Sequence, residues 1–238
     1  FRRVLFRSLR GQCAARDGVP LLPAGVPVAR NNFAATPILP ESLRLAARAR
    51  ERVRVIGVHD GQLITDHLCE EPAVRGSLVV ADAERDLAKL VVCNRYTPAP
   101  PAVALVKGFG LRRGAIASSV SHDSHHIIAV GASDEALAAA INEVILHRGG
   151  LAVADSNRKI LASLPLPLAG LMSTEPAERV ARAYSDCDRL AKILGSRLTA
   201  PFMTLSFLAL SVIPSLKLTD KGLFDGVAFQ HVPLFVTE

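Results

Sequence analysis

Short apolar runs of strand length recur between turn residues from about residue 52 onward, and this pattern constrains the fold more than any other feature. The stretch "RVRVIGVHDGQLITDHL" alternates apolar and polar residues on both sides of His59-Asp60-Gly61, which predicts a hairpin with Asp-Gly in the turn. "GSLVVAD", "DLAKLVVCNRY" and "PAVALVKGFGL" continue the pattern, and "GAIASSVSHDSHHIIAVG" indicates a strand, a polar turn and another strand. We therefore expect a sheet built from neighbouring hairpins.

Two helices and a further hairpin are predicted after these strands. Ser133 can cap the first helix, Asp134 and Glu135 suit the positive end of its dipole, and Gly149-Gly150 ends it. "LAVADSNRKILASLPL" indicates the hairpin, and a longer helix is expected from about Thr174 to Gly195, with Pro176 in its first turn. The apolar stripes are Leu137, Ile141, Val144 and Ile145 in the first helix, and Val180, Tyr184, Cys187, Ala191 and Leu194 in the second.

The order of these elements indicates the fold class. Hairpin strands followed by helices predict an α+β domain with a largely antiparallel sheet and helices packed on it. We expect the C-terminal stretch to be mostly loop, with one more strand near "FQHVPLFV". Residues 1–40 are rich in Pro and Gly and lack a clear period, so they are expected to be an irregular linker before a domain that covers 41–238.

The composition bounds the class of protein. Half of the 238 residues are hydrophobic and there is no Trp, so the core is expected to be aliphatic. The four scattered cysteines form no C-x-x-C pair, which excludes a zinc knuckle and fits a reducing cytoplasm. The longest apolar stretch has twelve residues between Pro201 and Pro214, too few to cross a bilayer as a helix. We expect a soluble cytoplasmic protein with no membrane partner.

The basic charge is concentrated at the N-terminus. The first ten residues hold four arginines and no acid, and the other 24 basic residues nearly balance the 22 acidic ones. A nucleic-acid-binding face is therefore poorly supported. A second cluster is interpreted as a solvated face in preference to a phosphate-binding patch; it comprises Arg44, Arg48, Arg50, Arg52 and Arg54.

The stretch "GFGLRRG", residues 108–114, superficially resembles a phosphate-binding glycine loop. It lacks the G-x-G-x-x-G spacing, and no helical pattern follows it directly. Close packing of the backbone at a strand end is the preferred interpretation.

The densest group of chemically active side chains lies in "SHDSHH", residues 121–126, which we call the His loop. Its three histidines and one aspartate occupy five positions of a turn between apolar strands, and such connections often display active-site groups. The spacing differs from the His-x-His that favours a metal site on a strand. Three hypotheses stay open: a self-contained metal site, a hydrogen-bonded polar turn, and a contribution to a site shared with another domain. The other histidines are His59, His67, His147 and His231.

Several long stretches resemble the C-terminal domain of bacterial adenine deaminases. They are "VKGFGLRRGAIASSVSHDSHHIIAVG", "LPLPLAGLMS", "PFMTLSFLALSVIPSLKLTDKGLFD" and "HVPLFV", and the resemblance runs from about Asn31 to the end of the chain. "GQCAARDGVPLL" also resembles the last hairpin of the small β-sandwich beside amidohydrolase barrels, so residues 1–40 are interpreted as a remnant of that β-sandwich and a linker. The first eight residues match no pattern of the family.

The resemblance implies a hydrolase of purine metabolism that converts adenine to hypoxanthine and ammonia. In this family a (β/α)8 barrel binds one or two divalent metal ions, manganese or iron, and a metal-bound hydroxide attacks C6 of the purine. The barrel ligands include a His-x-His pair, which this sequence lacks. We therefore expect the chain to pack on such a barrel, to bind no metal itself and to be inactive alone, and homo-oligomerisation is left open.

The resemblance also implies the pattern H-D-S-H-N for the His loop. His122, Asp123, Ser124 and His125 match this pattern, and His126 departs from it. We expect His122, Asp123 and His125 to lie at the barrel mouth, where they would complete or support the adenine pocket. The competing hypothesis is that Asp123 accepts backbone N–H bonds in the turn while the histidines only pack. For the whole chain, the alternative to an enzyme part is a non-catalytic binding or scaffold module derived from the enzyme.

Overall fold

The computed structural model describes residues 6–22, 28 and 30–236. The strands are β1 (Phe6–Leu9), β2 (Gln12–Arg16), β3 (Val19–Pro20), β4 (Leu45–Ala46), β5 (Arg52–Gly57), β6 (Asp66–Glu70), β7 (Ala73–Arg75), β8 (Leu78–Val80), β9 (Leu87–Cys93), β10 (Ala102–Lys107), β11 (Ala115–Ser118), β12 (Ile127–Gly131), β13 (Gly150–Ala154), β14 (Ile160–Pro165), β15 (Leu216–Thr219), β16 (Gly222–Asp225), β17 (Gln230–His231) and β18 (Phe235–Val236). The helices are α1 (Asp134–Leu146), α2 (Ala177–Ile193) and α3 (Pro201–Phe207), with a 3-10 turn at Pro40–Leu43.

A nine-stranded sheet organises the domain, and it is largely antiparallel, as the hairpin pattern predicts. Its strands follow the order β14-β13-β11-β12-β9-β10-β5-β18, and β6 also pairs with β5. Among the described pairings only β10 with β5 is parallel. Because the helices pack on this sheet, the prediction of an α+β fold is confirmed.

The central strands are buried on both faces, because successive side chains point into two different cores. In β9, Leu90 and Val92 face a core that includes residues of α2, α3 and β15. Val91 and Cys93 face a second core that is built mainly with α1. Strands buried on both faces appear as continuous apolar runs without alternation, which explains the composition of "LAKLVVC".

Helix α1 begins at the predicted residue. The hydroxyl oxygen of Ser133 accepts a hydrogen bond from the backbone N–H of Ala136 at 3.2 Å. In the first turn, Asp134 Oδ1 lies 2.6 Å from Nζ of Lys89, which is buried in β9 and also donates to the carbonyl of Leu43. This ion pair fastens the start of α1 to the sheet. Burial raises the pKa of Asp134, and Lys89 opposes that shift.

The predicted buried faces of the helices are largely confirmed. All four residues of the α1 stripe are buried, and so are Cys187, Ala191 and Leu194 of the second helix. Val180 and Tyr184 are only partly buried. Pro176 caps α2 one position before its first residue.

The C-terminal stretch is more ordered than predicted. Helix α3 and the antiparallel pair β15–β16 occupy much of a region that was expected to be loop, so that expectation is wrong there. Pro201 stands at the first position of α3, where its missing N–H leaves no bond unmade. "FQHVPLFV" forms two short strands, β17 and β18, where one was expected. A seven-residue apolar helix is too short for its periodicity to be distinguished from a strand or loop.

Both turn predictions are confirmed. Strands β5 and β6 pair antiparallel, with Gly57 opposite Asp66. In the 58–65 connection, Asp60-Gly61 forms a turn in which the N–H of Gln62 donates to the carbonyl of His59 at 3.2 Å, and Gly61 has a φ of +71°. In "GFGLRRG", Gly108 has φ of +95°, and a Cβ there would stand 2.4 Å from the carbonyl oxygen of Val58. The interpretation of this stretch as close backbone packing is confirmed.

The N-terminal region contains a small sheet of its own. Strands β1, β2 and β3 pair antiparallel within residues 6–20, and residues 30–39 form no helix or strand. Of the segment 1–40, residues 1–5, 23–27 and 29 lie outside the described part of the chain, and so do residues 237–238.

The buried Lys89–Asp134 pair generates a stability prediction. We expect Asp134→Asn to lower the free energy of unfolding by about 3 kcal/mol, because removing one partner leaves the Lys89 ammonium buried without its counter-charge. Glu135→Gln is the matched control: it removes the exposed neighbouring carboxylate from the same helix turn and should cost about 0.3–1 kcal/mol. Urea unfolding of both variants measures the difference, and equal losses would contradict the role given to the pair.

Candidate functional site

The His loop lies at one edge of the central sheet, between β11 and β12. Strand β12 pairs with β9, so that Ile127 stands opposite Cys93. The residues that follow β9, Asn94 to Tyr96, therefore lie beside the end of the His loop. Two buried strands fix the ends of the loop, and residues after a third strand flank it.

His122 is held by helix α3. Its backbone N–H donates to the carbonyl of Ser206 at 2.9 Å, and its imidazole stacks on Phe207 with ring centroids 4.6 Å apart. The ring is partly buried, and its nitrogens make no hydrogen bond to the described residues. The imidazole is thus oriented by packing while its nitrogens stay available for bonding. It also forms one wall of a mainly apolar cavity of about 270 Å³.

His125 is held by the loop itself. Its backbone has φ of +52°, and its N–H donates to the carbonyl of Ser121 at 2.6 Å. Its Nδ1 accepts the N–H of Ser121 at 3.3 Å, so a neutral ring carries its proton on Nε2. Burial lowers the pKa of His125, and the His122 and Arg95 charges lower it further. The ring meets His122 edge to face, with centroids 5.5 Å apart.

Asp123 is exposed, and its carboxylate accepts no hydrogen bond from the described residues. The hypothesis that Asp123 accepts backbone N–H bonds within the turn is therefore not met. The loop presents the Asp123 carboxylate and the imidazoles of His122 and His125. Of these, the carboxylate and the His122 ring have no hydrogen-bond partner among the described residues. Groups of this kind can accept, donate or relay a proton at neutral pH.

His126 has a different environment from the other two histidines. It is 6% exposed, and its Nδ1 accepts the backbone N–H of Arg95 at 3.3 Å. Its Nε2 lies 3.6 Å from Asp220, and its ring meets Tyr96 edge to face. Burial lowers the pKa of His126, an effect that Asp220 opposes. This ring joins the His loop to the end of β9.

The geometry explains how histidine can replace the asparagine that the resemblance implies at position 126. His Nδ1 and Asn Oδ1 are both bonded to Cγ, so each stands at the same number of bonds from the backbone. Either atom can accept a hydrogen bond. The acceptor for the Arg95 N–H is therefore retained despite the change of residue.

The sequence did not single out several residues that hold the His loop. Tyr96 Oη donates to the carbonyl of Ser124 at 2.7 Å, Ser119 Oγ donates to the carbonyl of Gly170 at 2.5 Å, and Phe207 supports His122. The side chain of Arg95 is buried beside them. Each comes from a different segment, and only the fold brings them together.

The remaining histidines do not join this group. Each lies against an acidic or hydroxyl group elsewhere: His59 with Asp66 at 2.8 Å, His67 with Asp225 at 3.3 Å, His147 with Glu143 at 3.0 Å, and His231 with Thr219 at 3.2 Å. Within residues 6–22, 28 and 30–236, no group of three or more His, Cys, Asp or Glu side chains is arranged to hold a metal ion.

The arginine cluster before β5 is engaged in local contacts. Arg44 pairs with Glu41 and Arg48 with Glu51, at 3.1 and 3.5 Å, while Arg54 donates to the carbonyl of Pro233 at 2.7 Å. Arg44 and Arg48 thus agree with the interpretation as a solvated face, whereas Arg54 is partly buried and its Nε is shielded from solvent, so the interpretation is wrong for Arg54. Over the described part of the chain, no helix is long and apolar enough to span a membrane.

Comparisons with known proteins add a family to this geometry. Residues 62–230 match the family model described as the adenine deaminase C-terminal domain. Curated proteins named adenine deaminase are 51% identical in Salinibacter ruber, 46% in Parabacteroides distasonis and 41% in Methanosarcina barkeri, over 87%, 96% and 99% of this chain. The chain spans only 37%, 41% and 44% of the length of these relatives. The matched region includes the whole His loop and the residues around it.

The contact between His126 and Arg95 generates the next prediction. We expect His126→Leu to lower the free energy of unfolding by about 1–3 kcal/mol, because the Arg95 N–H loses its acceptor in a buried position. His126→Asn should cost clearly less, because Oδ1 can take the place of Nδ1. Thermal and urea unfolding at pH 7 compare the two, and equal destabilisation would show that the acceptor is unimportant.

The wild type and His126→Asn should respond differently to acid. The pKa of His126 is lower in the folded chain than in the unfolded chain, so the unfolded state takes up a proton first as pH falls below about 6.5. This uptake destabilises the wild type, whereas His126→Asn lacks the titrating group. The difference in free energy of unfolding between the wild type and His126→Asn should therefore narrow from pH 7 to pH 5. A constant difference would contradict the lowered pKa of His126.

Proposed function

Because this chain belongs to the family of adenine deaminase C-terminal domains, we propose that it is the C-terminal part of an enzyme that hydrolyses adenine to hypoxanthine and ammonia. The family match over residues 62–230, which contains the His loop, is the observation that carries the proposal. The proposed site residues are His122, Asp123 and His125. Asp123 is exposed and His122 and His125 are partly buried at the end of a rigid sheet, which supports a contribution to a pocket that another part of the enzyme completes.

The chemistry of the reaction suits these side chains. Water adds its oxygen at C6 of the purine, the C6–N bond breaks, and the exocyclic nitrogen leaves as ammonia. Of the two protons of the attacking water, one ends on N1 of the purine and the other on the departing nitrogen, and these transfers call for groups that exchange protons near neutral pH. In the proposal, the imidazoles of His122 and His125 and the carboxylate of Asp123 hydrogen-bond the purine or carry such protons.

The divalent metal ion of the proposed enzyme, manganese or iron, would polarise the attacking water. The residues of this chain do not fit such an ion, because the described part contains no suitable cluster of ligands. We assign the metal to a (β/α)8 barrel formed by other sequence of the enzyme.

The packing of this domain on the barrel is part of the proposal. The segment that leads into the domain, residues 30–35, contacts residues that support the His loop: the carbonyl of Arg30 accepts from the N–H of Ala169, and the N–H of Ala34 donates to the carbonyl of Arg95. Sequence preceding the domain thus reaches it close to the proposed site residues. A cytoplasmic location is supported by the cysteines, which are all free thiols.

The isolated chain provides the first test. We expect it to release no ammonia from adenine and to retain no stoichiometric zinc, iron or manganese after dialysis, because one histidine-rich loop provides too few ligands. Metal analysis and an ammonia assay on the purified chain measure both properties. Turnover of adenine together with a tightly held metal would contradict the assignment of the metal to the barrel.

The second test uses a full-length chimaera. In it, this chain replaces the corresponding C-terminal part of the Salinibacter ruber relative. We expect His122→Ala and His125→Ala each to lower kcat/KM about tenfold or more, a loss of about 1.4 kcal/mol of transition-state stabilisation. Melting temperature and metal content should change little. His59→Ala is the control, because His59 is an exposed histidine in the 58–65 loop.

The outcomes separate an enzyme part from a scaffold module. Activity within about twofold of the wild type, or a loss that follows unfolding, would show that the His loop is structural. If the full-length protein binds partners but never deaminates adenine, the scaffold alternative is the better account.

A further inference from the structure

Arg95 is a buried cation without an ionic partner in the described part of the chain. Arg95 is only 4% exposed. Its guanidinium forms no salt bridge with any carboxylate among residues 30–236. Its Nε is buried and has no hydrogen-bond partner. Burial of an unpaired charge is costly, so other contacts of the guanidinium must offset this cost.

The guanidinium bridges two loops. Nη1 donates to the carbonyl of Ala169 at 2.6 Å, and Nη2 donates to Tyr96 Oη at 2.8 Å. Tyr96 Oη in turn donates to the carbonyl of Ser124 in the His loop at 2.7 Å. The guanidinium also lies over the Tyr96 ring, 4.7 Å from its centroid. Arg95 thereby connects the 166–171 loop to the middle of the His loop.

The opposing loop is shaped to receive this side chain. Gly170 has φ of +71°, and a Cβ there would stand 2.0 Å from Nη1 of Arg95. Its carbonyl accepts a hydrogen bond from the hydroxyl of Ser119, which lies between β11 and the His loop. Any side chain at position 170 would therefore displace the guanidinium.

The backbone of Arg95 makes two further connections. Its N–H donates to Nδ1 of His126, and its carbonyl accepts the N–H groups of Ala34 at 2.7 Å and Ala35 at 3.2 Å. One residue thus contacts the leading segment, the end of the His loop and the 166–171 loop.

We propose that Arg95 is a positioning residue, which holds the His loop in the conformation that presents His122, Asp123 and His125 and couples this conformation to the leading segment. The proposal rests on the proposed function for its catalytic consequence, but its structural part stands on the contacts alone. Lysine cannot replace arginine in this role, because one ammonium cannot reproduce the planar arrangement of donors.

The charge of Arg95 has a second effect on the same loop. It lowers the pKa values of both His125 and His126. The other charged or titratable groups that face these rings are His122 and Asp123 around His125, and Asp220 and Tyr96 around His126. Loss of the Arg95 charge should therefore raise the pKa of His125.

The first experiment measures amide hydrogen exchange of the 238-residue chain. We expect Arg95→Met to accelerate exchange at the amides of His122 and His125 at least tenfold, while the amides of the β9–β12 pairing change less. Arg54→Met is the matched control, since Arg54 also has a buried, unpartnered Nε and donates to a distant carbonyl. Its contacts, however, are to Pro233 and to Phe235 of β18, far from the His loop in the sheet order. Unchanged exchange in the His loop, or the same acceleration in Arg54→Met, would overturn the proposal.

A milder variant covers the case in which Arg95→Met does not fold. Tyr96→Phe removes only the hydroxyl that links Arg95 to the Ser124 carbonyl. It should accelerate exchange in the same loop amides while the melting temperature stays close to that of the wild type. If the loop amides of a folded Tyr96→Phe protein exchange as in the wild type, the bridge does not hold the loop.

The second experiment measures kinetics in the full-length enzyme described above. We expect Arg95→Lys to lower kcat at least fivefold with the acid limb of the pH profile unmoved, and Arg95→Met to lower kcat further and to shift that limb to higher pH. A merely structural role would lower the amount of folded enzyme without moving the limb. Activity within twofold of the wild type in both variants would overturn the positioning role.

The two experiments distinguish the proposals. If the full-length wild type releases no ammonia from adenine, the proposed function fails, and the exchange measurements alone decide whether Arg95 holds the loop. If the wild type is active and the loop amides loosen without loss of activity, the function stands and the positioning role is wrong.

Discussion

Burial of the central strands on both faces is the constraint on which the rest of the structure depends. Strands β9, β11, β12 and β13 are apolar at nearly every position, and each face must be covered. Helix α1 covers one face, while α2, α3 and the β15–β16 hairpin cover the other. A sheet enclosed in this way is rigid, so the loops that connect its strands have fixed ends. The His loop is such a connection.

The parts of the fold that the sequence predicts correctly are those that depend on local patterns. Ser133 caps α1 through its own hydroxyl, and the α1 stripe is buried because a 3.6-residue period places it on one face. The parts that it misses depend on distant partners. Lys217 occupies a strand position that looks exposed, yet it is buried and donates to the carbonyl of Leu63, 154 residues away. Burial lowers the pKa of this lysine to about 8. The residues next to Lys217 in the sequence do not predict this burial.

The candidate site shows the same division. The density of histidine and aspartate in six residues is visible in the sequence, and it is the reason for proposing the His loop as part of a site. The difference among its three histidines is not visible, because it arises from Phe207 beneath His122, from the turn around His125 and from the Arg95 backbone at His126. Arg95 itself is one arginine among many in the sequence. Only its tertiary contacts separate it from solvated arginines such as Arg44 and Arg48.

The distribution of unsatisfied polar groups is the strongest physical argument that this edge of the sheet is unusual. In the described part of the chain, four buried side-chain atoms lack a hydrogen-bond partner: Asn31 Oδ1, Arg54 Nε, Arg95 Nε and Ser121 Oγ. Arg95 and Ser121 belong to the His loop and its support, and Asn31 donates to the carbonyl of Pro167 beside them. Native proteins satisfy nearly all buried polar groups, so a concentration of exceptions requires an explanation. The four histidines elsewhere each have a partner, whereas the imidazole nitrogens of His122 and the carboxylate of Asp123 do not. A rigid frame that holds unpartnered groups at one edge supports the proposed contribution of the His loop to a site shared with another domain.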